Sequence, residues 1–495
     1  MRQLLSIPIL FPALCGLALL IWQPARRRSR RIAVMSAAIF TALLSMSTIA
    51  ITVLQEGGAL ACVMVRFTEG VSISLRIDGV GMVYGGVVSM LWPVVTWYAL
   101  DYMDHESHPN RFFAFWLIAF GVVLGIAYAE DFLSLYFFYE LLTLSTLPLV
   151  MHQMDEKARY AGKKYVIYSL SGAAFAFIGI VFLMNYGVTL DFTAGGVLDP
   201  ALAAGHRQTL LAAFTAAFFG FGVKAAVFPF YGWLPDASVA PTPVSALLHA
   251  AAVVKAGAFA VLRLIYFGFG SDFLRGTWAQ TTVMTAAIVT IVFGSARALR
   301  TPHLKRRLAF STVSNLSDIL FGLTMMTPAG MLGGLTHMVY HAMVKITLFC
   351  CAGAIIQQSG REYVYEMEDF GRAMPRVFFV FTVSACALIG VPPLGGFVGK
   401  WLIARAAVET GSTLAYVGIG ALILSTLLTT LYLMTIVVRA YFPVGDRETG
   451  PRQALRDPGR GMTVPLMILT AMGIVLGLCS APLTDFLRMV TAGRI

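Results

Sequence analysis

Long apolar runs recur along the whole chain and constrain its fold more than any other feature. A membrane-spanning helix needs about 20 mostly apolar residues, and about fourteen runs approach that length. Because a bilayer leaves no water for backbone groups, only helices and closed barrels can cross it. The runs therefore predict an all-α polytopic membrane protein. The predicted spans are residues 3–22, 32–54, 79–100, 112–129, 132–152, 165–186, 208–231, 243–268, 279–299, 307–326, 330–357, 377–406, 413–441 and 463–487.

The composition agrees with a membrane protein, since 58% of the residues are hydrophobic and 12% are charged. Soluble domains carry about 25% charged residues. The first run lacks a basic leading segment and a small-residue cleavage site, so we interpret it as a span and not as a signal peptide. No stretch between spans is long enough to build a core of its own. Residues 1–495 are expected to form a single transmembrane domain.

Lysine and arginine are concentrated in alternate loops, which explains the net charge of +11 without nucleic-acid binding. Cytoplasmic loops of membrane proteins carry this excess. The pattern predicts a multi-pass protein of the cell inner membrane with both termini outside. The basic loops contain Arg26, Arg27, Arg28, Arg30 and Arg31; Lys157, Arg159, Lys163 and Lys164; Arg297, Arg300, Lys305, Arg306 and Arg307; and Arg439, Arg447, Arg452, Arg456 and Arg460.

Two apolar helices in residues 219–265 each contain a lysine, Lys224 in the first and Lys255 in the second. A charge at the centre of a membrane helix costs about 2.5–3.5 kcal/mol on the insertion scale, so two of them need a reason. Pro229 follows Lys224 closely and predicts a break in the first helix. Broken helices with buried ionisable groups are typical of ion sites in transporters.

A second lysine beside a helix breaker stands in the other half of the chain. Lys400 follows Pro392, Pro393, Gly395 and Gly396, which should unwind the helix just before it. Two interrupted helices, one in each half, predict duplicated ion sites.

Intramembrane acids supply candidate partners for these lysines. Glu140 lies in the middle of the fifth span, and we favour a carboxylate paired with Lys224 over a neutral, hydrogen-bonded acid. The two groups are expected within ~4–6 Å of each other. Asp318 is interpreted equally well as a salt-bridge partner or as part of an ion path. His249 precedes Lys255 by a short interval, and both a satisfied polar group and a relay remain open.

His337, His341 and Lys345 follow one another at i, i+4 and i+8, which places them on one helix face. Three ionisable residues in line favour a hydrated path. Two histidines at this spacing can also bind zinc, but no acidic residue follows at the metalloprotease spacing. The six cysteines form no CxxC pair. We therefore predict no metal and no cofactor, and any redox chemistry would belong to another chain.

Four segments resemble one known family. KAAVFPFYGWLPDASVAPTPVSALLHAAAVVKAG, YELLTLSTLPLV, HMVYHAMVKITLF and GVPPLGGFVGKW are similar to segments of the antiporter-like subunits of respiratory complex I, membrane-bound hydrogenases and Mrp-type sodium/proton antiporters. The resemblance implies fourteen helices with two inverted five-helix repeats and a discontinuous helix in each. The implied divisions are 1–110 for N-terminal helices, 111–268 and 279–441 for the repeats, and 463–487 for a C-terminal helix.

The resemblance also implies a row of ionisable groups at the membrane midplane. Asp318 departs from it, because many members have a small or amide residue there. The length is similar to the compact Mrp D or hydrogenase type, whereas ALLHAAAVVKAG is closer to complex I, hydrogenase and large Mrp forms. The implied roles are an ion pair for Glu140 and Lys224, a central relay for Lys255 with His249 nearby, an extension of the row by His337, His341 and Lys345, and a terminal lysine for Lys400.

These observations favour a subunit that moves protons, with exchange for sodium as a variant, inside a complex of several membrane subunits. A first alternative is a proton-pumping subunit of a redox-driven complex, which would leave the electron transfer to its partners. A second alternative is a structural membrane scaffold that does not transport. Whether the assembly is an enzyme stays open. Other membrane subunits, protons and the lipid bilayer are the expected partners, and nucleic acid is not.

Overall fold

The computed structural model describes residues 2–24, 26–54, 60–68, 71–442 and 455–493. Within these residues the chain is mostly helical, and eleven helices are long and apolar enough to cross a membrane. Arg447 and Arg452 of the predicted basic loops lie outside the described residues. The chain is thus a polytopic helical membrane protein.

Among its described residues, the first half of the chain contains eleven α-helices and a β-hairpin. The hairpin falls between the first spans, where no strand was predicted. Its strands pair antiparallel, with Ala61 opposite Arg76. The elements are α1 (Ile7–Trp22), α2 (Arg27–Leu54), β1 (Ala61–Thr68), β2 (Val71–Arg76), α3 (Gly79–Tyr102), α4 (Pro109–Ala127), α5 (Phe132–Val150), α6 (Glu156–Tyr186), α7 (Pro200–Ala204), α8 (Arg207–Gly222), α9 (Trp233–Asp236), α10 (Thr242–Ala250) and α11 (Val253–Arg263).

The second half follows a π-helical segment, Leu264–Phe269, that continues α11. It contains ten further α-helices and no strand among the described residues. These are α12 (Ser271–Leu274), α13 (Trp278–Arg300), α14 (Leu304–Thr324), α15 (Pro328–Ser359), α16 (Phe370–Ala373), α17 (Pro375–Ile389), α18 (Gly395–Thr410), α19 (Thr413–Tyr441), α20 (Arg460–Leu478) and α21 (Ser480–Thr491).

Aspartates cap the N-termini of three of the membrane helices. The side chain of Asp78 accepts a hydrogen bond from the Gly81 amide at the start of α3. Asp131 does the same for α5 and Asp155 for α6. A short acidic side chain at this position satisfies an amide that the helix itself leaves free. Each cap therefore fixes where a span begins.

Both interruptions predicted from prolines and glycines are present. Helix α8 ends at Gly222, eleven residues before α9 begins, and Pro229 lies in the gap. Helix α17 ends at Ile389 and α18 begins at Gly395, with the two prolines between them. Each predicted break therefore coincides with residues that cannot continue a helix.

A third interruption was not predicted. Residues 243–268 were expected to form one continuous span, but α10 ends at Ala250 and α11 begins at Val253. Neither proline nor glycine lies at this joint. Instead the Tyr84 hydroxyl of α3 donates hydrogen bonds to the carbonyls of Ala251 (3.2 Å) and Ala252 (3.0 Å). The Ala252 carbonyl also accepts from the Ala256 amide at 2.9 Å, so the tertiary contact replaces helical pairing at Ala251.

The interrupted α10–α11 span and helix α15 form the centre of the molecule. In the most apolar part of Thr242–Phe269, 100% of the residues are buried inside the protein, and in that of Pro328–Ser359 the share is 94%. The corresponding share in α2 is 33%. Helices α1, α2 and α6 therefore lie at the periphery. Ionisable residues on the central helices are shielded by protein on every side.

Residues of three of the predicted basic loops bind aspartates at one end of the molecule. Asp104 at the end of α3 binds Arg27 and Arg31, and Asp236 accepts hydrogen bonds from Lys164 (2.7 Å) and Arg306 (2.6 Å). We call this the arginine-rich end. Asp78 caps the other end of α3, about 36 Å away along a 24-residue helix. We call the end around Asp78 the arginine-poor end.

Candidate functional site

The first candidate pair lies between α5 and the break after α8. Lys224 follows the last residue of α8 by two positions, and it is 0% exposed. Its Nζ lies 3.6 Å from Oε1 of Glu140, slightly closer than the predicted ~4–6 Å. The ammonium also sits 3.4 Å from the ring centroid of Tyr139 and donates to the carbonyl of the same residue. A carboxylate, a carbonyl and an aromatic face together offset the loss of water around the charge.

Aromatic donors occupy the free carbonyls at the end of α8. The Tyr139 hydroxyl donates to the Phe221 carbonyl at 3.1 Å, and the Trp233 indole donates to the Val223 carbonyl at 2.8 Å. The last carbonyls of a helix have no partner inside the helix and must find one elsewhere. Because these are taken, Lys224 is directed to α5.

A close backbone contact joins this pair to the central helix α11. Gly257 of α11 packs on the break, where a Cβ would lie 2.5 Å from the Ala225 nitrogen and 3.1 Å from the Lys224 Cβ. Only glycine permits such an approach. The helix that carries Lys255 therefore touches the segment that carries Lys224.

The centre of the site is a contact between Lys255 and His341. The lysine Nζ lies 2.6 Å from Nδ1 of the imidazole, and both residues are 1% exposed. A hydrogen bond between two nitrogens needs one of them to carry the shared proton and the other to accept it. Either group can play either part, which suits a proton relay.

Beyond His341, the row continues along α15 towards α14. The rings of His341 and His337 lie 5.9 Å apart, and Nε2 of His337 lies 3.7 Å from Oδ2 of Asp318. Among the described residues, no hydrogen bond reaches either Asp318 oxygen or either ring nitrogen of His337. These groups face each other at the distance of a weak ion pair or of a single bridging water.

Lys400 ends the row at the second break. Its Nζ donates to the carbonyls of Leu388 and Ile389, each at 3.1 Å, and to the Thr426 hydroxyl at 3.2 Å. The two carbonyls belong to the last residues of α17, where the helix dipole concentrates negative charge. Lys400 also interacts electrostatically with Asp318.

Two predicted residues lie beside the row. Lys345 donates to the Leu308 carbonyl (3.1 Å) and the Ser311 hydroxyl (2.7 Å) of α14, whereas His341 faces α11. His249 was predicted to share a helix with Lys255, but the joint after Ala250 places it on α10. Its ring stacks on Phe349 at 4.7 Å, and within the described chain neither nitrogen is hydrogen-bonded. The ionisable residues therefore do not form the single line that was predicted, because Lys345 and His249 lie to its side.

Several residues of the site were missed by sequence reasoning. Tyr139, Ser311 and Thr426 contact the lysines but carry no signal of their own, because aromatic and hydroxyl residues are ordinary in spans. Arg263 carried a signal: it is a charge within an apolar run, as the lysines are. It is 0% exposed and bound to Asp78. No three metal-ligating side chains are grouped within the described part of the chain.

Comparison with known proteins points to one group of membrane proteins. Residues 129–429 match the family described as NADH:quinone oxidoreductase/Mrp antiporter, transmembrane. The chain is 32% identical over 393 residues to NADH-quinone oxidoreductase subunit N of Desulforudis audaxviator, covering 77% of each chain. It is 28% identical over 437 residues to the A1 subunit of a Na⁺/H⁺ antiporter of Staphylococcus aureus, covering 84% of this chain and 54% of that one. The chain thus spans about half the length of this antiporter relative.

Solved structures share the fold across nearly the whole chain. A chain of the membrane-bound sulfane sulfur reductase, an archaeal respiratory membrane complex, superimposes with a TM-score of 0.85 at 20% identity. A chain of the Mrp complex from Dietzia sp. superimposes with a TM-score of 0.83 at 21% identity. Each match covers 99% of this chain and 97% of the other.

Proposed function

Because the chain belongs to the NADH:quinone oxidoreductase/Mrp antiporter transmembrane family, we propose that it is a proton-translocating subunit of a multi-subunit membrane complex. Exchange of protons for sodium is the variant suggested by relatives that are named Na⁺/H⁺ antiporter subunits. The family resemblance predicted from the four sequence segments is confirmed by these matches. The ion and the residues that move it are the proposal.

The observation that carries the proposal is the contact between Lys255 and His341 in the buried centre of the molecule. Towards one half of the chain, Gly257 joins Lys255 to the segment of Lys224. Towards the other half, His341 leads to His337 and Asp318. A proton can pass along such a row by short transfers, with water completing the longer steps.

Glu140 controls the loading of Lys224 in this proposal. A carboxylate beside the amine favours the ammonium form, and its withdrawal favours release of the proton. Glu140 is partly exposed, with a side chain that is 22% accessible, so it has room to move away from Lys224. Movement of this one side chain would therefore pass a proton towards Lys255.

The finer architecture is also part of the proposal. We expect fourteen spans in all, with inverted five-helix repeats in residues 111–268 and 279–441 after the N-terminal helices 1–110, and a last span near 463–487. The two interrupted helices occupy corresponding places in the two halves, which supports this division. The arginine-rich end would face the cytoplasm of an inner membrane, with both termini outside.

The test is ion flux in vesicles that contain the assembled complex. Glu140→Ala and Lys224→Ala should each abolish flux while assembly persists. Because the two side chains act as a unit, the double variant should be no worse than either single one. Lys163→Ala is the matched control, since Lys163 is exposed on α6 and should keep normal flux. Near-normal flux in assembled Lys224→Ala would contradict the mechanism and favour a structural scaffold.

A redox-driven pump is the second candidate. The relative from the oxidoreductase is covered over 77% of its own length, whereas the relative from the antiporter is covered over 54%. A chain of the Mrp complex is covered over 97% of its length, so coverage does not separate the two candidates. Co-purification with an iron–sulfur subunit would favour the redox-driven complex, and co-purification with small antiporter subunits would favour the exchanger.

A further inference from the structure

Arg263 is a fully buried charge that the proposed row does not use. It is the last residue of α11, and its side chain is 0% exposed. Both terminal nitrogens donate to Asp78, at 2.5 Å and 2.6 Å, in a two-pronged contact. Burial alone would raise the pKa of Asp78, but the guanidinium and the Gly81 amide hold that pKa below its usual value. The pair is therefore an ion pair between a carboxylate and a guanidinium.

Phenylalanines surround the guanidinium on its other sides. Its central carbon lies 4.4 Å from the ring centroid of Phe192, 4.7 Å from that of Phe267 and 4.9 Å from that of Phe259. The Arg263 Nε makes no hydrogen bond within the described residues. Aromatic faces attract the cation but exclude water from it. The result is a fixed positive charge in a dry cage.

The position of this cage relates it to the central lysine. Lys255, Phe259 and Arg263 follow one another on α11 at i, i+4 and i+8, so they lie along one side of the helix. Phe259 separates the two charges, and Tyr84 packs on it with ring centroids 5.0 Å apart. The order from the centre outwards is lysine, aromatic layer, arginine.

A cavity of about 320 Å³ lies beyond the arginine, at the arginine-poor end. Asp78, Phe192 and Phe267 line it, together with Arg76, Tyr266 and Thr491. Asp78, Phe192 and Phe267 thus belong both to the lining of this cavity and to the surroundings of Arg263. A π-helical segment begins immediately after Arg263, and such segments occur frequently at functional sites.

We propose that Arg263, held by Asp78, is the electrostatic barrier that closes the arginine-poor end of the path to Lys255. The Asp78 carboxylate lines the cavity, whereas the guanidinium belongs to α11, the helix of Lys255, and a positive charge there repels protons and metal cations, as an arginine does in other selective pores. The proposal rests on the proposed function, because it assumes that Lys255 carries the ion. Without the charge, the resting protein would leak.

The alternative is that the Asp78–Arg263 pair only holds α3 and α11 together. Variants that change the charge of the pair distinguish this structural role from an electrostatic barrier. The double variant Asp78→Asn/Arg263→Gln keeps two groups that can hydrogen-bond but removes both charges. A structural tie would survive this change, whereas an electrostatic barrier would not. Arg263→Lys has the opposite effect, because it keeps the positive charge and loses the two-pronged geometry.

The first measurement is passive proton leak in vesicles that contain the assembled complex, with no energy source. A pH-sensitive dye follows the decay of an imposed pH difference. Arg263→Gln and the double variant should each speed the decay severalfold, and Arg263→Lys should not. Arg275→Gln is the control, because Arg275 lies at the same end, half exposed, and donates to the Met326 carbonyl. Decay as slow in both charge-free variants as in the parent would overturn the proposal, unless the thiol at position 255 becomes accessible in the measurement described next.

The second measurement does not depend on transport. In a background without the native cysteines, Lys255→Cys places one thiol at the centre of the row. A membrane-impermeant cationic thiol reagent should modify it from the arginine-poor side when Arg263→Gln is also present, and should not when Arg263 is intact. Equal modification in both backgrounds would overturn the barrier. Access without leak would retain the barrier but show that Lys255 does not carry the proton.

Discussion

The two interrupted helices place a lysine at a break in each half of the molecule, but they hold it differently. Lys224 faces the carboxylate of Glu140 at 3.6 Å, because aromatic donors already occupy carbonyls at the end of α8. Lys400 instead binds the free carbonyls at the end of α17 and the hydroxyl of Thr426. The negative end of a helix thus does at the second break what a carboxylate does at the first.

Because of this difference, Asp318, the acid of the second half, can contact a partner other than the lysine. Because Lys400 is held by carbonyls, Asp318 can face His337 at 3.7 Å. In the first half, the acid and the lysine are one unit. In the second half, the acid and the lysine have separate partners, and a histidine lies beside the acid. The same sequence logic, a cation beside a helix breaker, therefore yields a direct pair in one half and an extended chain in the other.

The largest expected effect comes from the packing of the two breaks. A Cβ added at Gly396 would lie 1.8 Å from the Ala387 carbonyl oxygen, whereas one added at Gly222 would lie 3.3 Å from the Val227 side chain. Backbone cannot yield as a side chain can, so Gly396→Ala should prevent assembly or displace α18. Gly222→Ala should assemble normally. The amount of assembled complex in membranes measures both, and equal loss in the two variants would refute the difference in packing.

The next effect concerns the two acids, whose removal should change stability in opposite ways. Glu140→Gln leaves the Lys224 ammonium without its carboxylate and should cost about 1–3 kcal/mol, less than for a fully enclosed pair because Glu140 is partly exposed. Asp318→Asn breaks no hydrogen bond to a described residue, so stability should be unchanged or higher. Both variants should lose flux. Thermal unfolding of the purified complex, measured beside flux, checks this pair of signs.

A destabilised Asp318→Asn complex would show that Asp318 is bound as tightly as Glu140. In that case the second half would hold a direct pair, as the first half does. Glu140→Gln with parental stability would indicate that the carbonyl and ring of Tyr139 suffice to hold Lys224.

The smallest expected effect is at the hydroxyl that completes the Lys400 contacts. Thr426→Val keeps the shape and removes one of three acceptors, so it should cost about 0.5–1.5 kcal/mol. Flux should fall by a modest factor, because two carbonyls remain. Thr430→Val, one turn along α19, is a suitable control, since that hydroxyl donates to the Thr426 carbonyl of its own helix and not to a described residue of the row. A complete loss of flux in Thr426→Val would mean that the hydroxyl itself carries the proton.

The local features of this protein could be read from its sequence. Apolar run length predicted a polytopic helical chain, and eleven of the described helices are long and apolar enough to cross a membrane. Prolines and glycines predicted the interruptions before α9 and α18. The i, i+4 spacing predicted that His337 and His341 share a face of α15, where their rings lie 5.9 Å apart. All of these depend on residues within a few turns of one another. Such signals act through the backbone of a single helix, so they do not need the rest of the fold.

Contacts between distant helices were decided by the tertiary structure alone. The joint between α10 and α11 contains no helix breaker, and it is hydrogen-bonded by the Tyr84 hydroxyl, more than 160 residues away in the chain. The same is true of the partners of Lys345 and Arg263, since Ser311 and Asp78 lie on other helices. A sequence shows that a buried charge needs a partner, because leaving it alone is costly. Which group answers that need is set by how the helices pack, and packing is a property of the whole chain.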